Sequence, residues 1–270
     1  MGSSVFKRGL LVLSFIFFFG WVSQLGHSET FFGEFKTGLI ELKDFRYPVY
    51  MYVPENVKPG RLYPMVITIP DSGEDPDKTI AKWTGVADRM TMIILTPTYK
   101  RLDDLPTSFD RWFFEVKSMA QSVYPINTHK IFLVGEKDGG AYASYLGITY
   151  PEEFSGLAVV NGPFGGPFKA LMRYQSKPEG QLPVYVALQP KANEAVEPIE
   201  AQALVMQGKG YVVIVKQFDD SVDFNKREFK KELLDWLSEK SEDWQAVSKQ
   251  EKKPFKEKFR RGVKEFFTVS

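Results

Sequence analysis

No cysteine occurs among the 270 residues. That absence removes a disulfide framework, a thiolate metal site, a cysteine nucleophile and a lipidated-cysteine anchor. Histidine is nearly as scarce, with only His27 and His129 in the whole chain. Neither sign of charge is in excess: 35 Lys and Arg stand against 34 Asp and Glu, a net charge of +1. A chain so balanced is not a general polyanion binder, and nucleic acid is not expected as a partner. Internal repeats, EF-hand spacing and a phosphate-cradling loop are also missing, so neither a metal nor a cofactor is expected.

What is present is apolar: 43% of residues are hydrophobic and 15% aromatic, enough for one sizeable core. Part of that content lies in a leader. Lys7 and Arg8 precede the apolar run Gly9–Leu25, and a small, polar stretch, Gly26-His27-Ser28-Glu29-Thr30, follows. A charged start, a hydrophobic centre and small residues at the boundary predict an export signal over 1–28, cleaved after Ser28. The run is also near bilayer-spanning length, so an uncleaved N-terminal anchor is the other reading. Either way the domain is expected in the periplasm or outside the cell.

Residues 29–243 read as one α/β domain. Strands are expected at Leu39–Asp44, Val49–Val53, Met65–Pro70, Met92–Thr96, Ile131–Val134, Leu157–Val160, Val184–Leu188 and Tyr211–Val215. Helical spacing marks Thr79–Met90, Ser108–Val123, Gly140–Thr149, Ile199–Gln207 and Lys226–Lys240. Short, unbroken Val/Ile/Leu runs alternating with helices predict a mostly parallel sheet with helices on both faces. Trp83, Trp112 and Trp236 fall on apolar helical positions and are assigned to packing.

The tail, 244–270, differs in character. Lys249–Phe267 carries eight Lys or Arg against three Glu, and Phe255, Phe259, Val263, Phe266 and Phe267 recur at helical spacing around the break at Pro254. This basic amphipathic segment either folds back on the domain or docks, through 249–267, on an anionic membrane surface or an acidic partner.

Three segments carry a family resemblance. Tyr50–Pro54 with Tyr63–Pro76 (YPMVITIPDSGEDP) looks like a leading strand and oxyanion loop. Tyr124–Gly140 (YPINTHKIFLVGEKDGG) looks like a strand running into G-x-S-x-G-G, and Pro183–Phe224 is a weaker third match. Over about residues 45–240 the chain resembles α/β-hydrolases, in particular secreted esterases similar to polyhydroxybutyrate depolymerases and feruloyl esterases. The elbow glycines Gly135, Gly139 and Gly140 are in place after an apolar strand and before a helix. A nucleophile elbow needs them because a Cβ there would strike neighbouring backbone.

The chemistry that the family implies is not in place. Lys137 stands at the serine position, Asn193 aligns with the acid and Asp223 with the histidine; Asp71-Ser72-Gly73, with Asp138 after the elbow residue, replaces the usual oxyanion region. A protonated lysine has no lone pair with which to attack an ester. Glu136 and Asp138 flank it and would raise its pKa, the wrong direction for Schiff-base chemistry. Asparagine cannot offset an imidazolium, and His129, before the elbow strand, belongs at the wrong end of the sheet. Lys137 and Asp223 occupy the positions that hydrogen-bond in an active serine–histidine pair, so an ion pair between them is expected.

Ser72 and Ser144 are conceivable substitute nucleophiles, though no base accompanies them. The acidic rim of Asp71, Glu74, Asp75, Asp77, Glu136, Asp138, Asp219, Asp220 and Asp223 is read as solvated and offset by Lys137, Lys191 and Lys216 rather than as a metal site. The expectation is an exported pseudo-esterase that binds a ligand, an envelope component or a protein partner. The alternative is a divergent carboxylic ester hydrolase with an unidentified nucleophile.

Overall fold

In the computed structural model, residues 35–99, 109–173, 182–190 and 196–242 are described. The leader, the tail 244–270 and Asn193 lie outside them. Eight strands form one sheet: β1 (Gly38–Glu41), β2 (Val49–Val53), β3 (Tyr63–Ile69), β4 (Ile93–Pro97), β5 (Ile126–Glu136), β6 (Gly156–Val160), β7 (Val184–Leu188) and β8 (Val213–Gln217). Their spatial order is β1-β2-β4-β3-β5-β6-β7-β8. The first two strands are antiparallel to their neighbours, and every pairing from β4 to β8 is parallel. All six parallel strands therefore start at one end of the molecule and finish at the other, which is where a nucleophile elbow would sit.

The helices are α1 (Pro76–Ala81), α2 (Thr84–Met90), α3 (Phe109–Val123), α4 (Asp138–Thr149), α5 (Val196–Gly208) and α6 (227–242). Strand periodicity sorts the core into two layers. Met65, Ile67, Ile131, Leu133, Leu157 and Val159 face α3, α4 and α5, with Phe113, Val116, Leu146 and Met206 packed above them. Val66, Ile94, Phe132, Val134, Ala158 and Tyr185 face α1, α2 and α6, meeting Ile80, Trp83, Leu233 and Leu237. Each such aliphatic side chain taken from water contributes about 1.5–3 kcal/mol, so the central strands are the most strongly held elements.

The helix expected over Thr79–Met90 is two helices, broken at Lys82–Trp83. Lys82 N–H and Trp83 N–H turn back to the carbonyls of Thr79 and Ile80 at 3.1 and 2.9 Å, a tighter winding than α. The break has a physical use. It frees the Lys82 carbonyl, which accepts from the ammonium of Lys230 on α6 at 2.6 Å. Apolar spacing through Ile80, Trp83, Val86 and Ala87 continues across the interruption and concealed it in the sequence. At the other face, Asp110 on α3 accepts from the hydroxyls of Tyr142 and Tyr145 on α4, both at 2.7 Å, and so clamps the helix that follows the elbow.

Candidate functional site

Lys137 occupies the single residue between β5 and α4, with φ 47° and ψ −120°. A non-glycine residue in that region costs about 1–3 kcal/mol and persists only where its surroundings impose it. Two glycines do so here. A Cβ on Gly135 would stand 2.5 Å from the carbonyl oxygen of Gly139, and one on Gly139 would collide with the carbonyl oxygens of Pro70 and Ile69. The turn is fixed further by Lys137 N–H to the Val160 carbonyl at 2.9 Å and Gly140 N–H to the Lys137 carbonyl at 2.8 Å. The backbone of the elbow is thus intact, strain included.

The side chain at its apex does not meet Asp223. Lys137 Nζ donates to Asp71 Oδ2 at 2.9 Å, with its side chain 66% exposed and that of Asp71 26% exposed. Asp223 Oδ1 instead accepts from Asn225 N–H at 2.9 Å, and its carbonyl accepts from Lys226 N–H, turning the chain into α6. The expected ion pair is therefore corrected: Asp71, on the loop after β3, outcompetes Asp223 because it lies beside the elbow. The hydrogen bond to Asp71, and then its charge, raise the Lys137 pKa, with Glu74 and Glu136 adding to the effect. The amine is held protonated.

Asp71 does more than neutralise the lysine. Its Oδ1 accepts from Ser72 N–H at 2.9 Å and from Asp138 N–H at 3.3 Å. In a working hydrolase those two backbone positions, the residue after the nucleophile and the loop after β3, supply the donors that stabilise the tetrahedral oxyanion. Here one carboxylate oxygen faces both donors, and the other faces the ammonium at the nucleophile position. The oxyanion region is filled by a side chain of the chain itself.

The far side of the mouth is closed differently. Asn161, at φ 49° just past β6, donates through Nδ2 to Gln189 Oε1 at 2.8 Å, and Gln189 N–H returns to Asn161 Oδ1 at 2.8 Å. Gln189 Nε2 then reaches the Val222 carbonyl at 2.6 Å and the Asp219 carbonyl at 3.2 Å. One amide pair thereby joins the loops after β6, β7 and β8. Neither residue was singled out from the sequence; Asn161-Gly162 carried the only signal, a dipeptide suited to positive φ.

Beneath the rim lies Lys230, which is 2% exposed. Its ammonium stands 4.6 Å from the centre of the Trp83 ring, and the Trp83 indole N–H points to Glu136 Oε1 at 3.4 Å. Lys82 meets Glu74 at 2.5 Å in the same group. Burial pushes the Lys230 pKa down to about 8, opposed by the negative charges of Glu136, Asp223 and Glu74. Its position was readable in principle, since 230, 233, 234 and 237 share a helix face with three leucines.

Two cavities flank the elbow. One of about 260 Å³ is bordered by Glu136, Lys137, Asn161, Gln189 and Asp223, so positions 137 and 223 do converge on one mouth without touching. The other, about 760 Å³, lies between the loop from Asp71 to Pro76 and the residues Pro48, Thr98 and Tyr99. Ser72 lines it, whereas Ser144 is fully buried, donating to the Ala141 carbonyl at 2.9 Å and accepting from Gly165 N–H at 2.7 Å. Ser144 cannot reach a substrate. His129 lies near the start of β5, toward the end of the sheet opposite Lys137, where its carbonyl accepts from Ser155 Oγ at 2.7 Å. Among the described residues, no three or more His, Cys, Asp or Glu side chains are grouped to hold a metal ion.

No family model matches the chain, and no curated protein is similar to it in sequence. Solved structures are similar to it in shape. The S-formylglutathione hydrolase of Staphylococcus aureus superposes with a TM-score of 0.59 at 11% identity, over 76% of this chain and 99% of that one. An esterase of Pyrobaculum calidifontis gives 0.56 at 12% identity, over 78% and 86%. A thermostable esterase gives 0.56 at 16% identity; the match spans 74% of this chain but only 62% of that enzyme. At such identities the likeness establishes architecture: the chain has the α/β-hydrolase fold.

Proposed function

We propose that the chain is an exported, non-catalytic binding protein on an esterase scaffold, engaging a ligand, an envelope component or a protein partner at the mouth. The observation that carries this reading is Asp71, whose carboxylate faces both oxyanion-type N–H groups and the Lys137 ammonium at once. An ester carbonyl could take those donors only by displacing a charged group from three favourable contacts. Catalysis by differential stabilisation of an oxyanion has no free donor to work with there. The degenerate positions Lys137, Asn193 and Asp223 agree with the reading, as does the lack of a histidine near the mouth among the described residues. The 760 Å³ cavity beside Tyr99 keeps the volume of a small-molecule site, and its Asp71, Glu74, Asp75 and Asp138 edge favours uncharged or cationic groups. Export rests on the leader, Lys7, Arg8 and the run to Leu25.

The test is incubation of the full chain with short-chain nitrophenyl esters and with a serine-directed fluorophosphonate probe. Neither turnover nor labelling is expected. Labelling that disappears in Ser72→Ala would overturn the reading and restore the divergent hydrolase.

A further inference from the structure

We infer that the end of the domain where the parallel strands begin is a membrane-facing surface, seated on an anionic lipid bilayer, with the mouth directed away from it. Both termini of the described chain lie at that end. Phe35, the first described residue, packs its ring on Tyr124 just before β5, with centroids 5.7 Å apart. Glu242, the last, accepts from Lys130 Nζ near the start of β5 at 2.7 Å. The segments that adjoin these two points are the ones with lipid character: the apolar run 9–25 on one side and the basic, phenylalanine-bearing segment 249–267 on the other.

The same end carries the exposed apolar surface. Of the seven large hydrophobic side chains exposed among the described residues, five lie along that end of the sheet, from β3 to β8: Leu62 before β3, Val123 before β5, Val212 before β8, and Leu204 and Val205 in the last turn of α5. Lys58 and Arg61 stand exposed beside Leu62, in the loop joining β2 to β3. Exposed apolar side chains with Lys58 and Arg61 beside them, although Glu55 shares their loop, suit the headgroup boundary of an anionic bilayer, where long basic side chains reach phosphate while aliphatic groups leave water.

Topology sets the orientation. α6 returns from the mouth to the strand-start end and leaves Glu242 beside Lys130, so the basic segment that follows in sequence is attached at the end that carries Leu62 and Val123.

Because the chain has no cysteine, a single introduced one can be labelled uniquely. The full chain carrying an environment-sensitive fluorophore at Leu62→Cys or Val123→Cys is compared with labels at Asp75→Cys or Ser221→Cys on the mouth, with and without phosphatidylglycerol-containing vesicles. The expected result is a blue shift and quenching by lipid-borne quencher at positions 62 and 123 only. Pure phosphatidylcholine should give neither, and affinity should fall about fivefold for each of Lys256→Ala and Arg260→Ala. Equal shifts at both ends, quenching at the mouth, or no binding to the anionic vesicles would overturn the inference. So would an apolar signal at 62 and 123 before lipid is added, because the tail would then be folded back on this surface. The fluorophosphonate result bears on the mouth alone, so either idea can fail without the other.

Discussion

On the β3–β5 side of the mouth the gap is closed by charges, Asp71 on Lys137 with Glu74 on Lys82 beside it; on the β6–β8 side it is closed by amides, Asn161 on Gln189 and Gln189 on two carbonyls. The two closures differ in kind. Lys137 is largely exposed, so its attraction to Asp71 is screened by water and salt and adds little net stability. The Asn161–Gln189 pair is part-buried and satisfies main-chain carbonyls of another loop, so removing it leaves polar groups without partners. The ionic side occupies the donors next to the elbow, and the amide side joins three loops.

The largest expected effect tests what lies beneath the ionic side. Lys230 has its folded-state pKa lowered to about 8 from the ordinary 10.5, so above pH 8 the unfolded chain binds more protons at this group than the folded one. Stability therefore rises with pH between about 8 and 10, a gain of roughly 3 kcal/mol if the whole shift were recovered. In Lys230→Met this rise should be absent from urea unfolding curves taken across that range. A parallel rise in the variant would mean that Lys230 is not the titrating group.

Next in size is Gln189→Ala, expected to cost about 2–3 kcal/mol by the same measurement, with little dependence on salt. A loss below half a kilocalorie would place the amide pair with the surface contacts and dissolve the contrast. The smallest effect belongs to Lys137→Ala, under about 1 kcal/mol at low salt and vanishing at high salt. A salt-insensitive loss larger than that of Gln189→Ala would invert the comparison.

Much of this was legible in the sequence, for reasons that mark where legibility stops. The strands Val49–Val53 and Val184–Leu188 are bounded correctly because short runs of valine with aromatic or aliphatic neighbours, ended by turns, have few other readings. The elbow was located because glycines at 135, 139 and 140 answer a steric demand of the turn itself. The last strand was set at Tyr211–Val215 but runs over Val213–Gln217, since Lys216 and Gln217 on a sheet edge carry no apolar signal. The Lys137 partner is not legible, because a serine–histidine geometry points to Asp223 while Asp71 lies 66 residues away on another loop. Asn161 and Gln189 follow no spacing rule. Two amides meet only because parallel strands bring their ends together, a fact of topology that no local window contains.

The doubly occupied Asp71 carboxylate also has a kinetic consequence. A loop whose donors point into water must first be ordered by whatever it binds, and that step slows association. The loop from Asp71 to Pro76 is already tethered to the elbow by a carboxylate that contacts two backbone amides and an ammonium. Under the proposed binding role, a ligand arriving at the neighbouring cavity would meet one preset contour, its arrival rate set by diffusion and orientation rather than by gate opening, and differences among ligands would be expressed in how long they stay.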